Sequence, residues 1–144
     1  MIEYKTGNLF VSQADAFAHG CNTVGKMNAG IANQFKQHFP EMFRDYKDRC
    51  RKGIFLPGDA YIFYNEEKPH VINLATQGQG SAQISYIESS LDNLRNIVLC
   101  DRVESIAMPR IGSGLGKLDW SIIKEIIERY LRDLELKVEI WGLK

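Results

Sequence analysis

Two rhythms of apolar residues alternate along this chain, a period of two and a period near four. Ile2 to Thr6 reads as a first strand closed by Gly7. DAFAHGCN, Asp15 to Asn22, reads as a second strand apolar enough to be covered on both faces. From about Ala29 the spacing changes. Ile31, Phe35 and Phe39 recur every four residues, marking one buried stripe of a helix. Pro40 fits the first turn of a continuation, PEMFRDYKDRC, with Glu41 well placed near its N-terminus. LPGDAYIFY carries a turn signal and then an alternating strand, and HVINLAT is another strand. Thr76 to Ser85, TQGQGSAQIS, is polar and glycine-rich, a loop. Ser85 and Glu88 read as a capping box opening a helix that buries Ile87, Leu91 and Leu94. SIAMPRI is a fifth strand and runs straight into GSGLGKLDW. There Asp119 caps a helix expected to share Ile122, Ile126 and Tyr130 on one face. KVEIWGL closes the chain as a sixth strand. Strands alternating with helices predict an α/β fold, a mainly parallel sheet with helices on both sides.

Composition narrows the class without naming a task. At 144 residues the chain suits one domain, spanning 1–144. Eighteen basic residues balance eighteen acidic ones, so no net field draws the molecule to a polyanion. Cysteines 21, 50 and 100 form no CxxC pair and suggest neither a metal site nor a disulfide framework. Cys21 reads better as a small buried thiol than as a nucleophile. MIEYKTGNLF lacks the pattern of a secretory signal, and no apolar run approaches a membrane span. A cytoplasmic monomer without a membrane contact is the expectation.

Candidate chemistry gathers at two strand-to-helix junctions. GKMNAGIA lies between the second strand and the first helix, and GSGLGKLDW between the fifth strand and a late helix. In open α/β sheets ligands bind beyond the carboxyl ends of the strands. Glycine there leaves backbone N–H groups open to a ligand, and a helix N-terminus adds unpaired donors and partial positive charge. The late loop has neither the spacing nor the Ser/Thr of a GxxxxGK[ST] nucleotide loop. Each cluster alone reads as an ordinary turn; the pair, in one topological position, points to an anion or diphosphate site.

GNLF after the first strand, HGCN ending the second, NAGIANQF opening the first helix, and MPRIGSGLGKLDW together resemble the macrodomain family, over nearly the whole chain. The resemblance implies a three-layer α/β/α sandwich with a six-stranded mixed sheet and a cleft for ADP-ribose. It places the diphosphate between the loop at Gly112–Lys117, with Gly112, Ser113, Gly114, Leu115 and Gly116 as contacts, and the turn of Asn28, Ala29, Gly30 and Ile31. The distal ribose would point to Asn22 and His19, with Thr76, Gln77, Pro109 and Ile111 lining the cleft. Adenine would lie near Asn8, Leu9 and Leu143. No cofactor and no metal are expected. The His-x-Cys-Asn run is similar to the ADP-ribose 1″-phosphate phosphatase branch. A neighbouring branch, glycohydrolases acting on ADP-ribosylated protein or DNA, uses a lysine and in some members an aspartate where this chain has Gln77 and Gly116. Glutamine forms no Schiff base, and glycine offers no carboxylate. The family's adenine-binding aspartate stands here as Asn8.

On this reading Asn22 holds the ribose hydroxyls or a water. His19, with an ordinary pKa near ~6.5, transfers a proton. Loop N–H groups near Ser113 and Gly114 stabilise developing charge. Each has a plainer alternative: His19 as a hydrogen-bonded core residue, Asn22 as a turn former, Ser113 as merely small. Three functions stay open. They are a phosphatase on ADP-ribose 1″-phosphate, an ADP-ribosylhydrolase on protein or DNA, and a non-catalytic ADP-ribose reader.

Overall fold

The computed structural model describes residues 1–113 and 117–143. Its elements, in chain order, are β1 (Ile2–Thr6), β2 (Ala16–Cys21), α1 (Gly30–His38), α2 (Pro40–Arg51), β3 (Ala60–Phe63), β4 (His70–Ala75), α3 (Ile84–Asp101), β5 (Ser105–Pro109), α4 (Trp120–Leu131) and β6 (Lys137–Gly142). A short 3-10 turn, Leu9–Val11, follows β1. The strands form one six-stranded sheet in the order β1-β6-β5-β2-β4-β3. Every pairing is parallel except β3 with β4, so the sheet is mixed, as the resemblance implied.

Strand alternation divides the core in two. On β2, Ala16 and Ala18 face one layer while Phe17 and Cys21 face the other. The first layer holds α3 and α4 through Ile87, Leu91, Leu94, Ile123, Ile127 and Leu131, packed on Ile72, Leu74, Ile106, Met108, Val138 and Ile140. The second holds α1 and α2 through Phe35, Met42 and Tyr46, packed on Phe17, Val71, Ala75 and Ala107. Burying a Leu, Ile or Phe side chain contributes roughly 1.5–3 kcal/mol, so these stripes fix which face each helix covers.

Two expected details differ. The α3 N-cap is Gln83, with no side-chain cap bond, so Ser85 and Glu88 form no capping box. Glu88 instead pairs with Arg129 of α4 at 2.7 Å. On α4 the buried positions are Ile123, Ile126, Ile127 and Leu131, whereas Ile122 is exposed. The helix is rotated so that its wider apolar flank meets α3, and a single four-residue stripe did not capture that width.

Candidate functional site

β2 lies between two parallel neighbours, β5 and β4, whose chains leave for α4 and α3 in the layer opposite α1. β2 leads to α1 in one layer. β5, paired beside it, leads to α4 in the other. The β2–β5 pairing holds only Ala16 with Ile106 and Phe17 with Ala107, so toward their carboxyl ends, the usual ligand position in such sheets, the two strands are no longer bonded to each other. Both glycine-rich junctions follow those ends.

The first junction is built around Asn22. Its Nδ2 donates to Lys26 O at 2.8 Å. Its Oδ1 accepts from Val24 N at 3.1 Å and from the Tyr46 hydroxyl at 2.5 Å. The amide expected to meet a sugar is therefore the internal brace of its own loop. Past this brace, Asn28, Ala29 and Gly30 are exposed. Ala29 is the N-cap of α1, extended in backbone and without a side-chain cap bond, and Gly30 follows at φ +60. Among the described residues no side-chain acceptor occupies the first turn's donors, and glycine permits that left-handed start. Half-buried Ile31 completes the turn.

The second junction is organised differently. Gly112 sits at φ +76, and a Cβ there would come 2.8 Å from Ile87 Cδ1, so the turn presses on α3. Leu118 N donates to Gly112 O at 2.8 Å, and Ser113 Oγ donates to Arg110 O at 2.8 Å. The α4 N-terminus is filled by its own cap, since Asp119 Oδ1 accepts from Ser121 N at 2.9 Å. A carboxylate already sits where an anion would gain from that helix dipole. Of the residues assigned to this loop, Gly114, Leu115 and Gly116 lie outside the described residues.

His19 calls for a correction. Its parity on β2 matches Phe17 and Cys21, so the side chain points under α1 and is fully buried. The ring stacks on Phe35 at 3.8 Å between centroids, and Nε2 bonds Asn73 Oδ1 at 2.7 Å across the His19–Asn73 strand pair. The Asn73 amide donates onward to the Tyr61 hydroxyl at 2.9 Å. Nδ1 has no partner among the described residues. Burial lowers its pKa to about 4, so the ring is neutral at pH 7 and sealed from solvent. A proton shuttle at this position does not fit the structure. Burial likewise raises the Cys21 thiol well above its ordinary range, which leaves it a core residue.

The other assigned residues divide by exposure. Leu9, Thr76 and Ile111 are buried, so only their backbone could touch a ligand. Asn8 is exposed, and its Oδ1 caps the 3-10 turn through Phe10 N at 3.0 Å. Leu143 is 87% exposed just beyond β6. Pro109 ends β5 half-buried. Gln77 lies at the carboxyl end of β4, its Nε2 donating to Gly80 O at 3.1 Å. Sequence reasoning missed Tyr46 and Asn73, because both reach their partners only through helix and strand packing. It also missed Arg110, whose guanidinium lies against Gly142 and 5.4 Å from the Trp120 ring centre.

A family model described as Macro domain matches residues 18–127, which include both junctions. The chain belongs to the Macro domain family. Among relatives, the DNA ADP-ribosyl glycohydrolase of Mycobacterium tuberculosis is 32% identical over 130 residues, covering 87% of this chain and 37% of that protein. The solved macrodomain of Mycobacterium tuberculosis DarG superposes with a TM-score of 0.93 at 30% identity, covering 98% of this chain and 97% of that one. Thermosipho africanus DarTG, solved in complex with ADP-ribose, gives a TM-score of 0.89 at 28% identity, over 97% of this chain and 41% of that one. This macrodomain spans about two fifths of the length of the mycobacterial and Thermus aquaticus DNA ADP-ribosyl glycohydrolases it matches. Its six-stranded mixed sheet follows the fold that the resemblance implied.

Proposed function

We propose that this macrodomain binds ADP-ribose at the carboxyl ends of β2 and β5 and hydrolyses the bond at the anomeric carbon of the distal ribose, with ADP-ribose 1″-phosphate as its substrate. The diphosphate is assigned to the uncapped start of α1 and the facing backbone of Gly112 and Ser113. The distal ribose is assigned to the loop braced by Asn22, and adenine to the edge near Asn8 and Leu143. A family member solved with ADP-ribose and the open donors at Ala29–Ile31 support the ligand.

The observation that carries the choice of substrate is Gln77. An amide tied to Gly80 O stands at the mouth of β4, and it can neither form a Schiff base nor supply a positive charge. With His19 sealed and neutral, the leaving group has to depart without a proton from either side chain. Phosphate meets that demand, because it is stable as an anion at neutral pH. The C1″–O bond breaks with its electron pair going to phosphate. Water supplies hydroxide to C1″ and releases its proton to solvent. The chain contributes orientation and hydrogen bonds to the developing charge.

Removal of ADP-ribose from DNA is the second reading, favoured by the identity to the mycobacterial DNA ADP-ribosyl glycohydrolase. Parallel incubation with ADP-ribose 1″-phosphate, ADP-ribosylated protein and ADP-ribosylated DNA separates them. Inorganic phosphate released from the first is the expected result. ADP-ribose released only from the macromolecules would replace the phosphatase with a glycohydrolase. Calorimetric binding of ADP-ribose without turnover would leave a reader.

A further inference from the structure

We infer that Tyr46 is a positioning residue for the distal-ribose end of the site, holding the Asn22–Lys26 loop against α2 through its hydroxyl. The inference rests on the proposed placement of ADP-ribose. Tyr46 lies mid-helix and is wholly buried, yet its hydroxyl reaches past the core to the loop that follows β2. It donates to Asn22 Oδ1 at 2.5 Å, with Asn22 O at 3.0 Å and Lys26 O at 3.4 Å also within reach. The Asn22 amide then closes the loop on itself through Lys26 O and Val24 N. One phenol thus gathers both ends of a five-residue segment. The same stretch of α2 supports the loop sterically. A Cβ placed at Gly25 would lie 3.6 Å from Lys47 Cγ and 3.7 Å from Cys50 Cβ.

Two features make the hydroxyl, rather than the ring, the active part. The ring is already held by packing, edge-on to Phe55 at 6.0 Å and tilted against Phe43 at 6.1 Å. Burial also keeps the phenol protonated far beyond neutral pH, so it is a permanent donor. An acceptor as central as Asn22 Oδ1, stripped of its shortest bond, leaves the segment tied only to itself, through Lys26 O and Val24 N, and no longer to α2 by that hydroxyl. The loop then samples positions that misplace the distal ribose but not the diphosphate, whose donors at Ala29–Ile31 belong to α1.

Tyr46→Phe tests this, with calorimetry on ADP-ribose and on ADP, which lacks the distal ribose. The expected result is about tenfold weaker binding of ADP-ribose, with ADP changed by less than about twofold. Phe55→Leu serves as the packing control; it lowers Tm while leaving the ratio of the two affinities unchanged. Unaltered ADP-ribose binding by Tyr46→Phe would overturn the inference. So would a parallel loss for both ligands, which marks a general structural role. A wild-type chain that binds ADP but gains nothing from the distal ribose would overturn the functional reading and this inference with it.

Discussion

The two glycine-rich junctions look alike in composition and differ in electrostatics. At the first, α1 begins with Ala29 and Gly30, and among the described residues no side-chain acceptor fills its opening turn. At the second, Asp119 closes the opening turn of α4 with its own carboxylate. On the proposed placement, an anion held by a helix N-terminus would therefore fit α1 rather than α4. Glycine content marks where a ligand can approach closely. The cap residue decides whether charge is welcome there.

The junctions also differ in what lies beneath them, and acid should reveal it. The strand feeding the first junction carries buried His19, neutral with a pKa of about 4 against ~6.5 when unfolded. The unfolded chain takes up this proton first, so stability is fully present above pH 6.5 and falls as pH drops toward 4. The loss is about 3 kcal/mol by pH 4, and a His19→Gln variant should lack it. Urea unfolding from pH 7 to pH 4 checks this; parallel pH curves for the two proteins would remove His19 as the cause. Hydrogen exchange over the same range should loosen β2 and α1 before β5 and α4.

A carboxylate moved from one junction to the other is the next largest change. Ala29→Asp gives α1 the kind of cap that α4 has, and should weaken ADP-ribose binding by about 2 kcal/mol, near thirtyfold, while raising Tm. Calorimetry and thermal melts read the two effects separately. Binding that survived this substitution would place the diphosphate elsewhere. The reverse change is the smallest. Asp119→Ala should cost about 1 kcal/mol of stability in urea and leave ADP-ribose affinity within about twofold. A large loss of affinity there would make the second helix start the principal anion site.

Much of the fold was legible because core residues announce themselves by period. Phe35, Leu91 and Leu94 are fully buried where helical spacing put them, and β2, β4 and β5 read as apolar runs because helices cover both faces of the sheet. The rotation of α4 was not legible, since four isoleucines in six positions, Ile122 to Ile127, permit more than one stripe. His19 is the instructive case. Its alternation with Phe17 and Cys21 was present in the sequence, and it points the ring into the helix layer. Its place near the end of β2 suggests a ligand contact, but its parity puts the ring under α1.

What the sequence determined alone was local: which segments alternate, where glycine frees the backbone, that Asp119 caps a helix, and that Gln77 brings no amine. Tertiary structure decided everything that depends on which group reaches which. It turned His19 to Asn73 and Phe35, and spent the Asn22 amide on its own loop. It also brought the Tyr46 hydroxyl from α2 to that loop, and set β2 beside β5 so that both glycine-rich junctions leave neighbouring strands. Hydrophobic periodicity is a property of neighbours in the chain. Hydrogen-bond satisfaction and desolvation belong to neighbours in space, which only the packed sheet brings together.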